Sequence, residues 1–169
     1  FGVGIYGDAK NSEMNIVYLG QGGLSLPDEA YYREEQYEEI RQAFKVHVAK
    51  MFALAKIDGG AELADAIYNL EAQLASHHFD QVKDRDVELT YNKLTFAELC
   101  ELAPHFDWAT WLEYSQIPKP AFAELVVQQP PFFAGLSAIL ENFDPKPWQA
   151  WLKWQLISGA AAYLPEEFV

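Results

Sequence analysis

"QGGLSLPDEAYYREEQYEEIR", residues 21–41, is the stretch on which the reading of this chain turns. Ahead of it the apolar residues alternate. Val3 and Ile5, then Met14, Ile16 and Tyr18, recur at period two around the turn-forming run Asp8-Ala9-Lys10-Asn11-Ser12, which predicts a β-hairpin with strands near 2–7 and 14–19. Behind it the period changes. Tyr37, Ile40, Phe44, Val48, Met51, Phe52 and Ala55 keep one stripe and predict a long helix over 34–56. Its glutamates (34, 35, 38, 39) fall in the first half and Lys45, Lys50 and Lys56 in the second, an order that suits the helix dipole. Between the two, Gly22-Gly23 permit a tight turn, Leu24 and Leu26 anchor it inward, and Pro27 presets a first helical turn. The expectation is a joint that fixes how hairpin and helix meet.

Further helices follow. Gly59-Gly60 break the first, and Leu63, Ile67, Leu70 and Leu74 mark a second. Thr95 and Glu98 in "TFAE" form a capping box opening a short helix over 95–102, and another is expected over 107–115. Pro118 and Pro120 interrupt, "AELVVQQ" (123–129) reads as a short strand, and Pro130-Pro131 start a helix through Leu140. The last helix is predicted from Pro145 to Tyr163. Within it Trp148, Trp151 and Trp154 step by three beside Leu152 and Leu156, so apolar groups exceed one stripe. Such a helix is either central in a core or carries an uncovered interface. The fold class is mainly α, a multihelical bundle preceded by a short N-terminal β-hairpin, with the hairpin in 1–20 and a helical body in 27–169.

Composition narrows the function. A chain of 169 residues has the length of one domain, and with half its residues hydrophobic it is too apolar for disorder and too evenly broken by charge for a membrane span. Against 25 acidic side chains stand 12 basic ones, a net charge of −13 that repels nucleic-acid backbones and anionic lipid. Neither nucleic acid nor membrane is an expected partner. Cys100 is the one cysteine, which excludes an intrachain disulfide and a cysteine zinc site. Phe1 enters directly into patterned sequence and the chain stops at Phe168-Val169 without a polar tail, so a piece of a longer protein is expected.

The local motifs are weak. Gly2, Gly4 and Gly7 in "GVGIYG" have dinucleotide-binding spacing, but no strand precedes them and a turn and second strand follow, so they read as hairpin glycines. His47, His77, His78 and His105 include no H-E-x-x-H, and the adjacent His77 and His78 point in different directions. One of that pair is expected packed and the other solvated, with His47 partly buried. Ser25, Ser76, Ser115 and Cys100 lack the surroundings of a nucleophile, and Cys100 reads as a buried inert thiol. Glu34-Glu35 and Glu38-Glu39 read as a solvated face. No residue is put forward as catalytic, cofactor-binding or metal-ligating.

"KNSEMNIVYLGQGGLSLPDEAYYRE" resembles the stretch of neprilysin-family zinc endopeptidases in which a hairpin ending in Gln-Gly-Gly-Leu-Gly-Leu-Pro meets a helix carrying a Tyr-Tyr pair. Gln21, Gly22, Gly23, Leu24, Leu26, Pro27, Tyr31 and Tyr32 match, and Ser25 stands where a glycine is common. "HVAKMFAL", "LEAQLASHH", "LTYNKLTFAEL", "FDWATWL", "VVQQPPFF" and "WQAWLKWQLI" follow in the family's order, so the resemblance spans the chain. It implies an N-terminal, non-catalytic segment of the helical lobe, forming part of the wall of a substrate chamber. The resemblance further implies zinc in the parent enzyme, held in a C-terminal part, with no cofactor in this segment. The rest of the parent chain is the implied partner and short peptides the implied substrates. Animal members are disulfide-rich, whereas Cys100 is alone, so a bacterial-type parent is expected; this stretch does not decide its location, and the bacterial cytoplasm is favoured over export. The alternative is a stand-alone helical interaction module whose tryptophan helix docks a partner, with no hydrolytic activity.

Overall fold

The computed structural model describes residues 1–168. In chain order its elements are β1 (Gly2–Asp8), β2 (Asn11–Gly20), α1 (Ala30–Arg33), α2 (Glu38–Leu54), α3 (Gly60–Ala75), α4 (Gln81–Asp84), α5 (Val87–Thr90), β3 (Asn92–Thr95), α6 (Phe96–Leu102), α7 (Trp108–Tyr114), β4 (Glu124–Val127), α8 (Pro130–Glu141) and α9 (Pro145–Ala160). The chain is mainly α and opens with the hairpin, as its periodicities predict. It forms two compact units, one from Phe1–Gly23 with Ser76–Phe143, the other from Leu24–Ala75 with the residues from Asp144 onward.

In the first unit the hairpin is half of a four-stranded sheet of order β1-β2-β4-β3. β1 pairs antiparallel with β2, in register from Gly2↔Gly20 to Gly7↔Asn15. β4 lies parallel to β2, placing Val17 beside Leu125 and Leu19 beside Val127, and β3 closes the far side antiparallel. Leu125, Val126 and Val127 are all fully buried, the unbroken apolar run expected of an interior strand. β3 has no local signal, because "NKLT" is short and mostly polar. Its partner β4 makes it a strand.

Helices complete this unit's core. Thr95 caps α6 with the predicted capping box, and Pro130-Pro131 open α8, where Phe132, Phe133 and Leu136 turn inward. The ring of Phe1 packs among Phe106, Trp111 and Phe133 at centroid distances of 5.3–5.6 Å. At Gly135 the ring of His77 lies so close that no Cβ fits.

The second unit packs α2, α3 and α9 around Phe44, Val48, Met51, Phe52, Ala64, Ile67, Ala150 and Trp154. The long helix begins later than its apolar stripe suggests. Glu34 takes an extended backbone (φ −82, ψ 136), a 3-10 turn spans Glu35–Tyr37, and α2 starts at Glu38. It stops at Leu54, with Lys56 in the left-handed region at φ 58. Ile40, assigned to the stripe, is 41% exposed, and Arg41 is buried instead. The reason lies in α1. One turn of helix leaves carbonyls unsatisfied, and the Arg41 guanidinium donates to the oxygens of Tyr31 and Glu34 at 2.9 and 2.7 Å while pairing with Glu38.

Only one side of the tryptophan helix is core. Trp154 and Ala150 are core, whereas Leu152 and Leu156 on the other side stand 60% and 73% exposed.

Candidate functional site

The joint is anchored within each unit by polar side chains that had no expected role. In the first unit Gln21 behaves like a strand partner for Phe79. Its side-chain amide donates to the Phe79 carbonyl at 3.1 Å and accepts the Phe79 N–H at 2.7 Å. Its own backbone N–H donates to Oε1 of the buried Gln129 at 2.8 Å, and Gln129 in turn donates to Asp84. His78 Nε2 lies 3.3 Å from the Gly22 carbonyl, and its ring meets the face of Phe132 edge-on. Gly23 then adopts φ 89, a conformation costly for any residue with a Cβ.

In the second unit the centre is Glu71, a carboxylate with no exposed surface. Oε1 accepts from Ser25 Oγ at 2.6 Å and Trp151 Nε1 at 3.0 Å; Oε2 accepts from Tyr32 Oη at 2.6 Å and the Ser25 N–H at 3.0 Å. Both hydroxyls are forced to donate, because their acceptor sides are filled. Ser25 Oγ receives Trp154 Nε1 at 2.8 Å, and Tyr32 Oη receives the N–H groups of Ser25 and Leu26 at 3.2 and 3.0 Å. The network funnels donors from the joint, α1 and α9 onto one acid on α3.

Among the described residues no cation pairs with Glu71. Burial pushes its carboxyl above the usual glutamate range, and the bonds from Ser25, Tyr32 and Trp151 pull it only part of the way back. The Tyr32 hydroxyl is raised for the same reason, burial first and the neighbouring carboxylate second. The proton of the Ser25 hydroxyl is thus committed to an acid already saturated with donors. The arrangement holds backbone in place. One signal for it was legible, since Glu71 follows Ile67 by four and precedes Leu74 by three, a charge set into the apolar stripe of α3.

The other candidates do not converge. His47 is exposed, with its ring edge against Trp154, rather than partly buried. His77 and His78 are both half-buried and packed, against the expectation of one solvated ring, because α8 brings Gly135 and Phe132 onto them. His105 is exposed and donates its N–H to Ser137 Oγ at 3.0 Å. Cys100 is only half-buried, since Leu99 takes the inward position of α6, and burial still raises its thiol. Ser76 and Ser115 are exposed. Among the described residues no group of three or more His, Cys, Asp or Glu side chains is placed to hold a metal ion.

A groove of about 380 Å³ in the first unit, lined by Ile5, Asp8, Met14, Ile16, Lys93 and Glu124, holds charges that are already paired. Asp8 accepts from Tyr91 Oη at 2.7 Å, which holds the acid below its usual range and lifts the phenol to about 12. Lys93 sits 2.8 Å from Glu124 and 3.9 Å from Asp8.

Similarity to known proteins carries the assignment. The sequence profile of peptidase family M13 matches residues 1–169. The chain belongs to that family. Its M13 relatives include mouse endothelin-converting enzyme 1, 29% identical over 99% of this chain and 23% of that protein. The cryo-EM structure of Mycobacterium tuberculosis zinc metalloprotease Zmp1 in its open state is 36% identical and superposes with a TM-score of 0.93, over 99% of this chain and 26% of that one. The crystal structure of Zmp1 in complex with an inhibitor gives 0.94 over the same shares. PepO from Lactobacillus rhamnosis, 22% identical with a TM-score of 0.74, shares the fold. This M13 chain thus spans about a quarter of the length of the relatives it matches, and the neprilysin-like resemblance in its sequence is borne out.

Proposed function

We propose that residues 1–169 are a non-catalytic part of the helical lobe of a longer zinc metalloendopeptidase, walling a chamber in which short peptides are cleaved. One observation supports this above the rest: similarity covers 99% of this chain yet only 26% of a zinc metalloprotease. Three quarters of such an enzyme lie outside these residues. The donor set here does not suit zinc, since among the described residues no three His, Cys, Asp or Glu side chains are placed to hold a metal ion, so no step of the hydrolysis is assigned to these side chains. Their task in this reading is shape. A wall of packed helices admits a flexible peptide and turns away a folded protein, and buried locks such as the Glu71 network keep the wall rigid. The solitary Cys100 supports a bacterial-type parent working in the cytoplasm.

The test is the parent reading frame. It is expected to encode H-E-x-x-H beyond Val169, and its product to cleave short peptides in a chelator-sensitive way while sparing folded proteins. A parent without a zinc motif overturns the proposal.

A further inference from the structure

The two edges of the sheet are finished very differently. β3 is four residues long, carries Lys93 in its ion pairs and runs straight into the cap of α6, so little of it is open to another strand. β1 is seven residues long, and from Gly2 to Gly7 it has no charge and no proline. Its backbone polarity follows from the register. The Leu19 carbonyl accepts from Gln128 on the β4 side, so Gly20, Tyr18 and Ile16 point toward β1 and bond Gly2, Gly4 and Tyr6. The N–H and C=O groups of Val3 and Ile5 consequently point away from the sheet.

Their side chains are bare as well. Val17 and Leu19 are buried, but their cross-strand partners Ile5 and Val3 are 66% and 46% exposed, so the covered apolar layer stops one strand short of the edge. Of the three glycines of "GVGIYG", Gly4 has an internal reason, since the Tyr6 ring fills the place of a Cβ, but the other two have none. At Gly2 and Gly7 a Cβ would meet nothing within 4 Å, and neither has a left-handed backbone. Glycine weakens a strand and often marks a place where another backbone comes close.

The geometry points to β1 as the docking edge for an extended strand supplied by the rest of the parent polypeptide, added beside Val3 and Ile5. This rests on the reading of the chain as part of a longer peptidase. Tethering is what selects the occupant. A long, uncharged, apolar edge left open invites aggregation, so its cover must be permanent, and a segment on the same chain is present at high effective concentration whatever the dilution. The matched relatives carry about three quarters of their length outside this region.

Amide hydrogen exchange at single-residue resolution on the full-length parent tests it. Val3 and Ile5 are expected to exchange about a hundredfold or more slowly than exposed amides, as Gly4 and Tyr6 must in either case. Fast exchange at Val3 and Ile5 beside slow exchange at Gly4 and Tyr6 overturns the docking while leaving the peptidase assignment, judged by turnover, untouched. Protection that appears only on raising protein concentration, with a doubled mass, overturns it in favour of a second copy. Ile5→Pro deletes the outward N–H while the inward bonds of Gly4 and Tyr6 to β2 stay available, and is expected to abolish the protection of Val3 where Ile5→Val preserves it.

Discussion

Two anchors hold residues 21–26, and they are made of different chemistry. Gln21 and Gln129 use neutral amides that imitate a strand ladder, so each bond replaces one made to water at little cost. Glu71 instead places a charge where no solvent reaches and draws donors from the joint, α1 and α9 onto it. Burying that charge is expensive, and only the full set of donors makes it tolerable. The neutral anchor should therefore yield by degrees when a member is lost, and the charged one abruptly.

The strongest way to break the contrast is Glu71→Ala. It strands both hydroxyls and the Trp151 indole, and is expected to cost about 3–5 kcal/mol in a denaturant titration. Next is Gly23→Val, which forces a β-branched residue to φ 89. A loss of about 2 kcal/mol is expected, read as a lower Tm, with no change in any group that could act on a substrate. Gln21→Ala removes the two bonds to Phe79 and should cost about 1–2 kcal/mol, leaving a cooperative transition. An equal loss for Gln21→Ala and Glu71→Ala would erase the distinction between the anchors.

The smallest effect sharpens it through pH. Because the folded carboxyl of Glu71 is raised above its unfolded value of 4.5, the native state holds its proton to higher pH than the unfolded chain does. The resulting stabilisation is complete below the unfolded value and is lost as pH rises through the folded one. Wild type should thus lose stability relative to Glu71→Gln as pH rises from that point toward neutrality. A difference that widens in the opposite direction would mean the donors outweigh the burial.

Legibility in the sequence followed the range of the forces involved. The hairpin, the capping box of Thr95 and Glu98, the proline-started helices and the body of α3 rest on contacts within a few residues, and periodicity and capping chemistry report those directly. The start of α2 was misplaced because its apolar stripe runs on through Tyr37, while the backbone breaks at Glu34 so that Arg41 can finish α1. β3 had no local signal, being a strand only by virtue of β4. Of the site, Ser25 and Glu71 were both visible as residues, but nothing local joined positions 46 apart.

From its residue order alone, this polypeptide determined its helical class, its opening hairpin and its membership of a peptidase family, since these depend on local pattern and on ordered motifs. Tertiary structure decided which polar groups are locks, which side of the tryptophan helix is core and which edge of the sheet is left open. Those outcomes depend on desolvation and on partners distant in sequence, and a buried carboxylate acquires its role only when other elements bring their donors to it.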